Sequence, residues 1–165
     1  MILVLILLIL VTACTVATLP PASSKDFKSL IEPPEMTFAT FADARKWIAV
    51  NITYKMPDPY VWQTPKTTME LKTGMCVDRS LALLWYADLF GYTTLLRVVK
   101  LDNGLYHAIC VINGIEIDAQ IYSTSKPEYA SWCYDLTLDE CLERCYYKYH
   151  ARNTWEVLDE CGKNN

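Results

Sequence analysis

The pair Asn113-Gly114 constrains the fold of this chain more than any other feature of its sequence. It separates two runs in which apolar and other residues alternate, and Asn-Gly between such runs is the strongest short signal for a β-hairpin. If these two residues form the turn, Ile112 lies opposite Ile115, and the flanking runs pair as antiparallel strands in a fixed register. The side chains that share each face of the hairpin can therefore be predicted from their positions.

One face of this predicted hairpin is almost wholly apolar, and the other is mixed. The apolar face, which would pack on a core, consists of Ala108, Cys110, Ile112, Ile115, Ile117 and Ala119. The mixed face presents His107, Ile109, Val111, Glu116, Asp118 and Gln120. In this register His107 lies opposite Gln120, and His107 and Asp118 are diagonal neighbours within reach of each other. Core packing does not require this pair, which is an argument against a purely structural histidine. A structural histidine, or an ordinary surface pair with Asp118, is the alternative interpretation.

Cys76 stands where a predicted helix begins. The chain breaks at Gly74, leaving room beside the thiol for a substrate, and the apolar spacing that follows predicts a helix from Met75 to Phe90, ended by Gly91. In the first turn of a helix, the unpaired backbone N–H groups and the positive end of the helix dipole favour a thiolate. A buried cysteine that only fills a core is the alternative interpretation.

Cys76, His107 and Asp118 together supply the parts of a catalytic triad built on a thiol. Cys76 would attack a carbonyl carbon, and its backbone N–H would help to bind the oxyanion. His107 would hold the thiolate as an ion pair and later protonate the leaving amine. Asp118 would fix the tautomer of the imidazole and stabilise its charged form.

Local signals place the other elements around this hairpin. Thr40 caps one predicted helix, Thr64-Pro65 begins a second, and the capping box Thr137-x-x-Glu140 begins the last. The predicted helices are residues 41–54, 65–72, 75–90 and 138–150, the predicted strands are 93–101, 105–113 and 114–122, and the predicted loops are 55–63 and 123–136.

Residues 1–14 are uncharged and almost wholly apolar, which is typical of a secretory signal peptide. The tetrapeptide Val-Thr-Ala-Cys that ends at Cys14 resembles the lipobox of bacterial lipoproteins, in which the cysteine is lipidated and becomes the new N-terminus. An uncleaved anchor is the alternative, since no Lys or Arg precedes Cys14. Residues 15–36 are predicted to be a linker and residues 37–165 a single domain. We therefore expect a membrane-anchored lipoprotein of the cell envelope, facing the periplasm.

Four cysteines cluster after residue 130, where an oxidising compartment would permit disulfides. Cys141 and Cys145 lie one helical turn apart, so each is expected to pair with Cys133 or Cys161 rather than with the other. Plain buried thiols are the alternative. The spacing, with His150 nearby, fits no zinc pattern, so no metal is predicted.

The order of these motifs resembles the transglutaminase-like superfamily, and within it the bacterial transglutaminase-like cysteine proteinases. The resemblance covers about residues 40–122 and rests on Trp62, Thr64, Pro65, Gly74, Cys76, Asp78, His107 and Asp118. It implies an α+β fold with a papain-like core, in which the helix bearing the cysteine packs on a small antiparallel sheet. It also implies acyl chemistry on amides, with Trp62 either bordering the acyl site or buried in a structural role. Calcium-dependent members carry acids on both sides of the nucleophile; here only Asp78 remains, so calcium is not implied.

The sequence thus predicts an exported, membrane-tethered cysteine peptidase or amidase that acts on peptide or protein amides with no cofactor. Hydrolysis is preferred to protein cross-linking by acyl transfer, because nothing marks an amine-acceptor site. A non-catalytic lipoprotein that binds a partner is one alternative, and a structural domain in which Cys76 is buried or oxidised is another. The formal net charge of −4 and the absence of a basic run argue against nucleic acid as a partner.

Overall fold

A computed structural model describes residues 27–56, 61–121 and 127–146 of the chain. Within these ranges the helices are α1 (Phe27–Leu30), α2 (Phe41–Asn51), α3 (Pro65–Leu71), α4 (Cys76–Leu89) and α5 (Leu138–Tyr146). The strands are β1 (Thr53–Tyr54), β2 (Thr73–Gly74), β3 (Thr94–Lys100), β4 (Tyr106–Ile112), β5 (Ile115–Ile117) and β6 (Ser131–Thr137). The predicted lipidation site Cys14, the predicted end of the last helix at His150, and Cys161 lie outside the described residues.

The fold is α+β with a small antiparallel sheet, as predicted. Four strands lie in the order β5-β4-β3-β6, and each neighbouring pair is antiparallel. Helix α4 packs across β4 and β3 and is buried along most of its length. Its apolar residues, with those of the facing strands and of α2 and α5, form one hydrophobic cluster. The helix that begins at Cys76 is therefore held firmly on the sheet.

Local capping confirms where three helices begin. Thr40 and Thr64 each accept the backbone N–H of the residue three positions on, at the starts of α2 and α3. Before α5, Thr137 donates its backbone N–H to the Glu140 carboxylate at 2.7 Å, and Glu140 donates its own to the Thr137 hydroxyl at 3.2 Å. Helix α2 ends earlier than predicted, because the residues after Ile52 enter β1. There the backbone pairs in parallel with β2, an element that the sequence did not predict.

The turn at Asn113-Gly114 has the predicted geometry. Both residues have positive φ, 49° and 79°, as a type I′ turn requires. The register is confirmed too, since Ile112 pairs with Ile115 and the ladder continues to Ile117.

Strand β5 is shorter than predicted, because its pairing with β4 ends at Ile117 rather than extending to residue 122. Asp118 therefore follows the strand instead of lying within it. Its Oδ1 accepts the backbone N–H of Gln120 at 2.8 Å, which favours a turn at this point. The expected opposition of Gln120 and His107 as ladder partners is thus wrong.

The predicted division of the hairpin into an apolar face that packs on the core and a mixed face is wrong in part. Ile109, expected on the mixed face, is 0% exposed, whereas Ile115, expected on the apolar face, is 65% exposed. Arg97 lies opposite Ile109, and its guanidinium donates to Glu116 at 2.6 Å and to Asp135 at 2.7 Å. This ion cluster lies on the side of the sheet that carries the mixed face of the hairpin, and it helps to cover that side. Ile115 stays exposed because it lies beside the turn on an edge strand.

Strand β6 falls within residues 123–136, which were predicted to be a loop. It pairs with β3, and its register shifts between Val98 and Val99, as at a β-bulge. The alternation of Trp132, Tyr134 and Leu136 is the sequence signal that this strand carries.

The packed part of the chain begins before the predicted domain boundary at residue 37. Phe27 and Ile31 are each 8% exposed and belong to the hydrophobic cluster. Lys28 forms an ion pair with Asp88 near the end of α4. Residues 27–36 are therefore part of the folded unit and not a linker, because they bury apolar side chains against it. Among the described residues, no helix has the length and apolar character needed to cross a membrane.

The cysteines after residue 130 differ from the expected pairing. Cys141 and Cys145 are thiols that form no disulfide, and they are 0% and 1% exposed because they lie on the inward face of α5. The predicted pairing of each with Cys133 or Cys161 is therefore wrong, and the alternative of buried thiols is confirmed for both. Cys133 is disulfide-bonded.

Candidate active site

The start of α4 is fixed by a buried carboxylate. Asp78 is 0% exposed, and its two oxygens accept backbone N–H groups of Met75 at 2.8 Å and of Gln63 at 2.9 Å. Burial raises the pKa of Asp78 to about 6, against the opposing effect of the two hydrogen bonds. Asp78 thereby joins the first turn of the helix to the chain before α3, and its oxygens are directed at the backbone.

Gly74 allows this arrangement by having no side chain. A Cβ at this position would lie 2.8 Å from the Asp78 Cβ and 3.3 Å from Thr68. Gly74 is therefore not what leaves room beside the thiol, because the space next to it is filled by Asp78 and Thr68. The room beside Cys76 lies instead in two cavities described below.

Cys76 is the first residue of α4 and is partly exposed, with Met75 at the N-cap. One turn later the Ser80 hydroxyl donates to the Ala108 carbonyl of β4 at 3.2 Å. The Cys110 thiol donates to the Ser80 carbonyl at 3.5 Å. These contacts dock the first half of the helix on the strand that carries His107.

His107 and Asp118 form an ion pair, with Nε2 of the imidazole 2.8 Å from Oδ2 of the carboxylate. Their side chains are 13% and 16% exposed. Burial alone would lower the pKa of His107, but the hydrogen bonds to Asp118 and Cys76 and the charges of both groups outweigh it and raise the pKa to about 9. The imidazole is therefore protonated near neutral pH.

Burial acts on Asp118 in the opposite sense and would raise its pKa. The hydrogen bonds from His107 and from the Gln120 backbone outweigh this effect, aided by the charges of His107 and Arg79, so the pKa lies below its ordinary value. Asp118 thus remains ionised beside the imidazole.

The structure brings all three predicted site residues together. Cys76 and His107 line the same two cavities, and His107 is hydrogen-bonded to Asp118. Cys76 is close enough to His107 to contribute to its raised pKa. A cysteine, a histidine and a carboxylate brought together in this way can support nucleophilic attack on a carbonyl carbon followed by proton transfer.

Gln120 is a site residue to which the sequence assigned no role. Its side-chain Nε2 lies 3.3 Å from Nδ1 of His107, and its backbone N–H binds Asp118. It thereby contacts both members of the ion pair. Its position on the mixed face of the predicted hairpin was the available signal.

Arg79 was also missed. It is 5% exposed, and its Nη2 donates to the carbonyls of Ala49 at 3.1 Å and Gln120 at 3.2 Å. One buried guanidinium therefore ties α4 both to α2 and to the turn that holds Asp118. Its spacing of one turn from Cys76 was the only hint in the sequence.

Two cavities meet at the cysteine and the histidine. Both are lined by Tyr54, Cys76, Leu105, Tyr106 and His107. The first, of about 260 Å³, extends towards Trp62 and the start of α4, and the second, of about 570 Å³, extends towards Asp118, Gln120 and Glu128. Cys76 and His107 thus lie where the two cavities of one cleft meet.

Trp62 and Tyr54 are aromatic residues that line this cleft. Trp62 is 7% exposed and lines the smaller cavity, so it is both buried and next to the site. Its Nε1 has no hydrogen-bond partner within the described ranges. Tyr54 is half exposed, and burial together with the electrostatic effect of Cys76 and Asp78 raises its pKa. Tyr54 is a further lining residue that the sequence did not indicate.

Comparisons of the chain with protein-family models, with curated proteins and with solved structures found no match.

Proposed function

We propose that this chain is a cysteine peptidase or amidase of the transglutaminase-like class, acting on peptide or protein amides. The observation that carries the proposal is the His107–Asp118 ion pair, with 2.8 Å between Nε2 and Oδ2, beside the same two cavities that Cys76 lines. A raised histidine pKa and a partly exposed thiol at the first turn of a helix are what a thiolate–imidazolium pair requires.

In the first half of the reaction, the Cys76 sulfur attacks the carbonyl carbon of the amide and forms a carbon–sulfur bond. The carbonyl oxygen becomes an oxyanion, which the Cys76 backbone N–H at the start of α4 helps to bind. His107 then gives its proton to the amide nitrogen, the carbon–nitrogen bond breaks, and the amine leaves. A thioester and a neutral imidazole remain.

In the second half, His107 accepts a proton from a water molecule whose oxygen attacks the thioester carbon. The carbon–sulfur bond breaks, the carboxylic acid leaves, and the thiolate–imidazolium pair is restored. Asp118 holds the imidazole in one orientation throughout and stabilises its charged form. The chain supplies every group that these steps need without a cofactor.

The papain-like form of the core is part of the same proposal. The helix that begins at Cys76 packs on the antiparallel sheet whose strand β4 carries His107, and Asp118 follows the neighbouring strand. This order along the chain and in space supports a transglutaminase-like fold.

We also propose that the enzyme is lipidated at Cys14 and acts at the membrane of the cell envelope. The support is the apolar segment 1–14 with its lipobox-like end, and the disulfide at Cys133 is consistent with export. A Cys14→Ser variant should be released from the membrane fraction or fail to be processed. Unaltered fractionation would contradict lipidation and favour an uncleaved anchor.

The hydrolase proposal is tested with the full chain and a library of internally quenched peptides, together with iodoacetamide labelling of each cysteine followed by mass spectrometry. We expect peptide cleavage that Cys76→Ala abolishes and Cys110→Ala does not, and labelling of Cys76 that is faster than that of any buried thiol. No cleavage together with slow labelling of Cys76 would overturn the proposal. Transfer of the acyl group to an added amine in preference to water would identify an acyltransferase instead.

A further inference from the structure

The smaller of the two cavities has an unusual lining for the surroundings of an ion pair. Of the described residues that border it, none is Asp, Glu, Lys or Arg, and His107 is the sole cationic side chain. The sheet contributes a floor of three side chains that lie directly opposite one another on adjacent strands, Ala108, Val98 and Tyr134. The cavity is therefore an apolar space that opens directly beside the nucleophile.

Part of this lining is held in place by the core. Trp62, Met75, Val77 and Val98 are all less than 10% exposed, so the surrounding fold holds them before any ligand arrives. A preformed apolar pocket binds an apolar group with little loss of conformational freedom. Its volume of about 260 Å³ is suited to one large side chain.

The mouth of the cavity is apolar as well. Met56 and Leu105 line it and are 55% and 62% exposed, and Tyr54 between the two cavities is 50% exposed. Exposed large apolar side chains that cluster at one site mark a binding surface, whereas isolated ones need no explanation. Here they form the rim of the cleft that contains Cys76.

The second cavity has a different character. Asp118 and Glu128 border it, and no Lys or Arg does so among the described residues. It also contains Gln120, which contacts His107. His107 borders both cavities, but only this one has carboxylates, so it is the side on which an amine is best accommodated.

The acyl group, by contrast, stays bonded to the Cys76 sulfur after the amine has left. The smaller cavity is bounded by Met75 and Val77, the immediate neighbours of Cys76 on α4. A side chain carried by the acyl group therefore lies closest to the apolar cavity.

Resting on the hydrolase function proposed above, we propose that the apolar cavity binds an aromatic or branched aliphatic side chain on the acyl side of the scissile amide. The enzyme then selects peptides with such a residue within two positions of the carbonyl that Cys76 attacks. The second cavity accepts the amine side.

The test uses the full chain and three alkylating agents that react with Cys76 by forming a carbon–sulfur bond and releasing halide. Two are peptidyl chloromethyl ketones that differ only in Phe or Lys on the acyl side, and the third is iodoacetamide, which has no side chain to place. We expect the Phe reagent to react about tenfold to a hundredfold faster than the Lys reagent, as an apolar pocket discriminates between such groups.

Two variants locate the selectivity. Met56→Glu places a carboxylate at the rim, and the ratio of the Phe rate to the Lys rate should fall by about tenfold or more. Val50→Glu makes the same change at an apolar residue that is 70% exposed and outside both cavities, and it should leave this ratio unaltered.

The possible outcomes separate the two proposals. Fast iodoacetamide labelling of Cys76 without preference for Phe over Lys, or a preference that Met56→Glu does not reduce, would overturn the assignment of the apolar cavity while leaving the hydrolase intact. Slow labelling of Cys76 by all three reagents would count against the hydrolase itself.

Discussion

Asp118 reaches His107 from outside the ladder: Nε2 and Oδ2 lie 2.8 Å apart although β4 and β5 stop pairing at Ile117. The aspartate stands in a turn, where Oδ1 is held by the Gln120 backbone and Oδ2 is free to take the imidazole. The ion pair thus depends on the turn that holds Asp118 as much as on the sheet that holds His107. A change at Asp118 or at His107 should therefore alter the reactivity of Cys76.

Asp118→Asn should slow the alkylation of Cys76 near neutral pH. The amide keeps the shape of the side chain but removes the charge that helps to hold the pKa of His107 at about 9, and the loss of a neighbouring charge typically shifts a pKa by about 1–3 units. The rate of iodoacetamide labelling against pH measures this shift. Asp135→Asn, which alters the Arg97 cluster on the sheet, is the matched control. An identical pH profile in both variants would contradict the role of Asp118.

The stability of the fold should decrease as the pH rises through 9. The folded pKa of His107, about 9, lies above its ordinary value of 6.5, so the imidazolium stabilises the fold fully below about pH 6.5, and this contribution is lost as the pH passes 9. Burial raises the pKa of the Cys110 thiol to about 12 and acts in the same direction. Urea unfolding at pH 6.5 and 9.5 should therefore show a larger decrease for the native chain than for His107→Gln. Equal decreases would contradict the shifted histidine.

Asp78→Ala should destabilise the chain by about 2–4 kcal/mol, since it leaves the N–H groups of Met75 and Gln63 buried without an acceptor. The start of α4 would loosen, so labelling of Cys76 should also lose its advantage over the other thiols. Asp43→Ala, an exposed acid in the first turn of α2, should change the unfolding free energy by much less. Chemical denaturation measures both. A similar change in the two variants would argue against the buried role of Asp78.

Gly74→Ala should destabilise the fold by about 1–3 kcal/mol through a direct clash, because the new Cβ would lie 2.8 Å from that of Asp78. Gly91→Ala provides a comparison with a different cause, since that residue has φ of 78° and open space around it. Only the first variant should also change the labelling rate of Cys76. If Gly91→Ala altered that rate as much, the local explanation would fail.

Arg79→Met should raise the mobility of the Asp118 turn relative to α4, because the carbonyls of Gln120 and Ala49 lose their shared donor. As Arg79 acts through Gln120, its loss should displace the pH profile of Cys76 labelling in addition to lowering stability. Arg79→Lys, which keeps the charge, should restore the profile in part. A loss of stability with an unchanged profile would make Arg79 purely structural.

The parts of the fold that the sequence predicted are those that depend on neighbouring residues. The Asn113-Gly114 turn fixes its own register, and Thr40, Thr64 and Thr137 cap helices through residues three positions away. The position of Cys76 at a helix start follows from the same local signals.

What the sequence did not predict depends on contacts between distant segments. Strand β6 is recognisable as a strand because it pairs with β3, and Arg79 matters because it binds carbonyls 30 and 41 residues away. Arg97, which lies opposite the buried Ile109, binds carboxylates that come from two other strands. The spacing of Cys141 and Cys145 is compatible with disulfides to other cysteines and equally with two thiols buried on one face of a helix. The packing of α5, which buries both side chains, decides between these two interpretations.

The ion pair of Lys28 with Asp88 has a consequence for orientation. Asp88 stands at the far end of α4 from Cys76, about 18 Å away along a helix that rises 1.5 Å per residue. Through this ion pair, the segment that contains Lys28 is bound to the end of α4 opposite Cys76. Any anchor attached through this segment would therefore join the folded unit at the end of the helix that is remote from the nucleophile.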